Sequence, residues 1–280
     1  MRPHETARTT LGDAPDRHDA ATQLEHALDE AAADQRFLYT RSRPLLDAAR
    51  SEISAGTVSE VYPRTFAKAA YLAALSARGQ AHHLIRTLAK RHPSWTFCLY
   101  SAAVMHGLQV PFALLDTVHV RAMRRQNRRA TMPYIARHLL PSCDTAIVND
   151  VSVTEIDATV FDCLRYASFR QGLAIADSAL HHNLTTLSRL TDYAQEHGRG
   201  RHGAAKALHT LGYTDARSTN GGESSVRGAI IELGFLIPEI QIEVPDPVNP
   251  NVTKTVDFYW RLSDGRTVIF ELDGLQKYRI

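Results

Sequence analysis

Glu223-Ser224-Ser225-Val226-Arg227, Val256-Asp257-Phe258-Tyr259-Trp260 and Val268-Ile269-Phe270-Glu271-Leu272-Asp273-Gly274 are the runs whose pattern decides the fold of the C-terminal part of this 280-residue chain. Ile230, Ile231, Leu233 and Phe235 have the apolar spacing of a helix that opens near Glu223, with Gly234 as its stop signal. Ile240, Ile242 and Val244 alternate with polar residues, which predicts a half-buried strand. Two more strands are predicted over 255–262 and 266–273, joined at Ser263-Asp264-Gly265, because an Asp-Gly pair between apolar runs signals a hairpin. A three-residue loop with a bulge at Gly265 sets Asp257 opposite Glu271. A two-residue loop moves the register by one and parts them, since side chains alternate with period two. Glu271 and Asp273 share a face in both cases.

One of these registers therefore brings three carboxylates to one end of a hairpin. Crowded carboxylates repel, and burial makes each ionised form costlier, unless a cation offsets them. Hard divalent ions such as Mg2+ take one or two carboxylates together with phosphate oxygens and water. That is the chemistry of metal-assisted phosphodiester cleavage. The plainer alternative is that these acids are solvated hairpin residues balanced by Arg227, Lys254, Arg261 and Lys277.

An acid on a first helix, an Asp in one strand and Glu-x-(acid or Lys) in the next resemble the PD-(D/E)xK nuclease superfamily. More closely, Glu223-Ser224 with Arg227, Pro238 with Gln241, Val256-Asp257-Phe258 and Glu271-Leu272-Asp273-Gly274 resemble the very-short-patch-repair-like endonuclease domain. The resemblance implies a catalytic set of Glu223, Asp257, Glu271, Asp273 and Lys277. In it Asp257 and Glu271 hold the metal, Mg2+ or Mn2+. Asp273 stands where the motif has Lys, and Lys277 is the stand-in. Domains of this kind continue past the Asp-Gly motif with a helix and one or two strands. Since this sequence ends at Ile280, a truncated module with an open sheet edge is expected.

Upstream, Tyr100-Ser101-Ala102-Ala103-Val104-Met105-His106-Gly107-Leu108 resembles the Ser-Ala-Ala…His-Gly-Leu stretch of AbiEi-type antitoxins. The run from Val153-Thr154 to Asp162 is similar to a second segment of that family, with Ala158 where Arg is usual. These resemblances imply a regulator that partners DNA and a cognate toxin. Its front would be a winged-helix domain, although no recognition helix is specified here. Together they imply an α+β protein: a mostly helical N-terminal two-thirds, then a small α/β restriction-endonuclease-like module. The expected divisions are a disordered 1–22, a helical 23–92 as a degenerate winged helix, an AbiEi-like α/β region over 93–211, and the truncated module over 212–280. Ser218 to Gly222 would be the linker.

Composition sets further bounds. A hydrophobic content of 44% supports a sizeable core and more than one domain. The formal net charge of +2 does not by itself demand nucleic acid, so local clusters must carry that argument. Arg121, Arg124, Arg125, Arg128 and Arg129 form one such cluster after the predicted strand Val118-His119-Val120, and Arg199 and Arg201 form another in a glycine-rich hinge. Guanidinium forks suit phosphate in a helix or in a loop, and a solvated basic loop is the plainer alternative. Cys98, Cys143 and Cys163 have no paired spacing, so they predict reduced thiols rather than a disulfide frame or a zinc site. No 18-residue apolar run or signal-peptide core is present, which makes a cytoplasmic protein without membrane association the expectation. The remaining periodicity predicts helices over 24–33, 43–55, 65–77, 80–91, 171–181, 184–197 and 204–211. A further helix would start at Ser101 and end at His106-Gly107.

Overall fold

The computed structural model describes residues 17–123, 134–140, 143–246, 248–249 and 251–272. The chain has a mixed α+β fold and divides into two compact units, Met1–Arg91 and His92–Ile280. The expected division near Leu211 falls inside the second.

In the first unit, α1 (Arg17–Ala33) packs on α2 (Arg43–Ala55). Residues 17–22 were expected to be disordered. They instead begin α1, because Ala20 extends the buried stripe of Leu24, Leu28 and Ala31 by one turn. Strands β1 (Leu38–Tyr39), β2 (Val58–Tyr62) and β3 (Thr65–Lys68) make an antiparallel sheet in the order β1-β3-β2. Leu24, Leu28, Ala49, Val58 and Phe66 form its core. The helix expected over 65–77 is corrected: Thr65–Lys68 pair with β2 across the Pro63-Arg64 turn, and only Ala69–Ala74 are helical, as α3. Burial of Thr65, Phe66 and Ala67 in succession outweighs their weak helical spacing. The unit ends in α4 (Ala77–Arg91).

The second unit is organised by Phe97, which is fully buried and bridges two strand pairs. On one side β4 (Val118–Ala122) runs parallel to β5 (Ile135–Leu139). On the other, β6 (Thr145–Val148) and β7 (Val151–Thr154) are antiparallel. The Phe97 N–H donates to the Ser152 carbonyl at 2.8 Å, and its carbonyl accepts from Thr154 N–H at 2.9 Å. Helix α5 (Leu99–Met105) packs on β4 and β7. Ser101 does not cap it: Cys98 holds the cap position, and the Ser101 hydroxyl accepts from the His119 N–H at 2.8 Å, tying α5 to β4. The expected end is observed, with Gly107 at φ 81° and the His106 ring against the Thr154 carbonyl.

Helices α6 (Ile156–Tyr166), α7 (Phe169–His181), α8 (Leu187–Gly198) and α9 (Ala204–Leu211) follow. Every residue of α7 from Gly172 to Leu180 is buried, as befits a helix packed on several sides. Against it lies α10 (Gly221–Glu232), brought close by Gly228, where a Cβ would stand 3.1 Å from Arg170 Cα. Arg227 of α10 donates to Asp177 of α7 at 2.8 Å, with both side chains buried. Its other amino group donates to the Tyr213 carbonyl, and Asp177 also accepts from the Asp215 N–H. Burial pushes the Asp177 carboxyl above its usual range despite the Arg227 charge. Strands β8 (Glu239–Pro245), β9 (Thr253–Arg261) and β10 (Thr267–Phe270) complete the unit as an antiparallel meander, β10-β9-β8.

Two measurements test this frame. Arg227→Ala should lower stability by about 3–5 kcal/mol in urea unfolding, because it strands Asp177 without a partner. Arg227→Met with Asp177→Leu should recover most of that loss. The second test concerns His119 and His138, hydrogen-bonded at 2.8 Å across β4 and β5. Burial and then the charge of His138 pull the His119 imidazole down to about 4, from an ordinary 6.5. Between those values the unfolded chain binds the proton and the folded chain does not. Stability should therefore fall as pH drops from 6.5 toward 4. In His119→Gln that fall should be shallower.

Candidate functional site at the end of the second unit

The site begins with a helix cap. The Asn220 side chain accepts from the N–H groups of Gly222 and Glu223 at 2.9 and 3.0 Å, satisfying two otherwise orphaned donors. The Glu223 carboxylate in turn accepts from the Asn220 side-chain amide. The same carboxylate accepts from Thr219 N–H at 2.9 Å and from the Thr219 hydroxyl at 2.8 Å. Residues 218–222 are thus no free linker: Ser218 is buried and its hydroxyl meets that of Ser224. Glu223 is buried at the start of α10.

The hairpin supplies the next acid. Leu262 N–H donates to Arg266 O, Gly265 N–H donates to Leu262 O, and Gly265 has φ 86°. This is a three-residue loop whose third residue needs a left-handed backbone, the place for glycine. The resulting register pairs Thr267 with Arg261 and Phe270 with Phe258. Continued by one residue, it sets Glu271 opposite Asp257, which is the first of the two registers the sequence allows. Beneath them Phe258, fully buried, stacks on Phe270 with centroids 5.5 Å apart. The Leu272 N–H donates to one oxygen of Asp257 at 2.8 Å, fastening the residue two beyond β10 to that carboxylate.

Gln241 joins the two acids. Its amide nitrogen lies 3.3 Å from Glu223 Oε2 and 3.2 Å from Asp257 Oδ1, donating to both. Pairing of Ile240 with Phe258 and Ile242 with Val256 places Gln241 opposite Asp257 on the neighbouring strand. Its backbone has φ 53°, a left-handed conformation that costs a non-glycine residue roughly 1–2 kcal/mol. Strain of this kind is held in place only where surrounding contacts fix it. The amide stands between two carboxylates, where it offsets part of their repulsion.

The other expected residues are dispersed. Asp273 and Lys277 lie outside the described residues, as do Arg124, Arg125, Arg128 and Arg129. Arg121 is in β4, and its guanidinium donates to the carbonyls of Leu140 and Cys143 at 2.5 and 3.1 Å, holding the end of the β5 segment. Arg199 is exposed at the end of α8, and Arg201 is half-buried. Asp162 pairs with Arg165 inside the fold, as an ion-pair partner. Among the described residues no group of three or more His, Cys, Asp or Glu is placed to hold a metal ion. No helix among them is long and apolar enough to cross a membrane. The sequence reading assigned no role to Gln241, Asn220 or Thr219. The Asn-x-x-Glu spacing of 220 and 223 was the available signal for the cap. A polar residue in an alternating strand gave none for the bridge.

Gln241→Ala should remove both donors and leave Glu223 and Asp257 facing each other, lowering stability by about 1–3 kcal/mol. Thermal unfolding measures it, and Gln241→Glu, which adds a third carboxylate, should lose more.

In comparisons with known proteins, the chain matches no family model and no curated protein sequence.

Proposed function

We propose that the end of the second unit is a nuclease-like module that binds DNA and hydrolyses a phosphodiester bond with the help of Mg2+ or Mn2+. The observation that carries this reading is the bridge from Glu223 through Gln241 to Asp257, beside a hairpin whose register, continued one residue past Phe270, sets Glu271 opposite Asp257. The three acids suit a hard divalent ion by residue type alone, as carboxylates, since no three of the described His, Cys, Asp or Glu residues are grouped to hold one as they stand. Asp257 and Glu271 would hold the ion and Glu223 would complete the site. Bound there, it supplies charge at the phosphate and a more acidic water. The part of the chain itself is positional. The cap of α10 fixes Glu223, the hairpin register fixes Asp257, and the Gln241 amide bridges the two. Lys277 would orient water or phosphate, with Asp273 in the place of the motif lysine.

A second reading has its own support. The Glu223 carboxylate already accepts hydrogen bonds from Thr219, Asn220 and Gln241, a saturated arrangement that serves a helix cap without any ion. On that reading the chain is a non-catalytic regulator of the antitoxin type, binding DNA or a toxin protein.

Plasmid nicking by the purified chain, with and without Mg2+ or Mn2+, separates the two. Metal-dependent nicking that is lost in Asp257→Ala supports the nuclease. Salt-sensitive DNA binding without cleavage supports the regulator. If Asp257→Ala with Glu271→Ala cuts as well as the wild type, the site assignment is wrong.

A further inference from the structure

The first unit holds a cluster that the nuclease-like reading does not use. Tyr39 ends β1, and three arginines from three places surround it. Arg91, the last residue of α4, lays its guanidinium on the Tyr39 ring, with Cζ 3.7 Å from the centroid. Arg41, two residues beyond Tyr39, donates from Nε to the phenol oxygen at 2.6 Å. Arg64, at the β2–β3 turn with φ 59°, is brought alongside by the bond from Thr40 N–H to its carbonyl. Arg41 and Arg64 are exposed.

These charges are not neutralised from within. Nearby Arg36, Arg50 and Lys68 are paired with Asp34, Asp47 and Asp29. Among the described residues no carboxylate pairs with the guanidinium of Arg41, Arg64 or Arg91. Glu60 is close, but it accepts from the backbone N–H of Arg64. Burial alone would raise the Tyr39 phenol pKa, yet the hydrogen bond from Arg41 and the charges of Arg91, Arg41 and Arg64 hold it below its ordinary 10. Arg91 Nη1 is buried and has no hydrogen-bond partner, an uncommon and costly condition for a charged donor. Two guanidinia on Tyr39 and the charge of a third beside it, with no acid paired to them and one orphaned donor, supply charge and hydrogen-bond donors suited to an anion. Stacking on Tyr39 orients the fork of Arg91, so little rotamer freedom is lost when it binds.

We propose that Tyr39, Arg41, Arg64 and Arg91 form a phosphate-binding site of the first unit, for the phosphate of a free nucleotide or of a nucleic-acid backbone. Phosphate fits better than a single carboxylate because a terminal monophosphate presents three acceptor oxygens and a nucleic-acid backbone presents two at each of several successive phosphates, so more than one planar fork can be engaged. The site lies outside the C-terminal module and stands whether or not that module cleaves DNA.

The test uses the full chain in EDTA, so that metal-dependent chemistry plays no part. Binding of a fluorescent DNA duplex is followed by anisotropy over a range of salt, with adenosine monophosphate and inorganic phosphate as competitors. Arg41→Gln with Arg64→Gln should weaken binding about tenfold or more and reduce the salt slope by about two, one for each lost phosphate contact. Arg41→Lys with Arg64→Lys, which keeps the charge and loses the fork, should fall between. Tyr39→Phe should keep the stack under Arg91 and lose only the anchor of Arg41, with a smaller effect. Competition by the monophosphate identifies a free nucleotide as the source, and resistance to it identifies the backbone. Circular-dichroism melting checks that each variant folds. A wild type that binds neither duplex nor nucleotide overturns the proposal. So does a Gln double variant that folds and binds as the wild type does.

Discussion

The ion pair between Asp177 and Arg227 is the constraint on which the second unit depends. Two buried charges must satisfy each other, and the pair lies between α7, at the centre of the helical layer, and α10, which carries Glu223. The Asp177 carboxylate also receives the Asp215 N–H, and Arg227 reaches the Tyr213 carbonyl. The segment leading into α10 is therefore held at two points, Tyr213 and Asp215, before the cap at Asn220 begins. The position of Glu223 follows from contacts made four residues further along its own helix. In this sense the candidate site is an extension of the helical core rather than an appended piece.

That dependence explains what the sequence could and could not reveal. The helix at 204–211 and the strands around Ile240 and Asp257 were legible because their burial follows a local period. The hairpin was legible as a turn, and its alternatives were two, of which the structure takes the three-residue loop, with Phe270 opposite Phe258. The first unit was harder. Thr65 to Lys68 look helical in isolation and become a strand only because β1 and β2 flank them, a fact of tertiary pairing. Ser101 looked like a cap and serves a strand eighteen residues away. Ser218 to Gly222 read as a flexible linker by composition. Small residues there instead permit tight approach: a Cβ on Gly221 would lie 3.1 Å from the Gln109 side chain.

Gln241 is a different kind of omission. Its spacing from Pro238 belongs to a resemblance but does not mark the bridge, because that role arises from an unusual backbone angle and from two acids brought in by other elements. The strain and the bridge support each other, since the left-handed turn within β8 accompanies an amide placed between Glu223 and Asp257. The Tyr39 cluster was likewise hidden, because Arg41, Arg64 and Arg91 are dispersed in sequence and meet only in the fold.

The loop at Ser263-Asp264-Gly265 has a consequence beyond its own geometry. A strand has two faces, and the number of residues in the preceding turn decides which face each side chain takes, as parity does. Shortening that loop by one residue would leave Glu223, Asp257 and Glu271 unchanged and turn Glu271 away from Asp257. The information that brings these two acids together is thus stored as a length. A one-residue deletion in a segment that touches neither acid would erase their meeting more completely than many substitutions close to it.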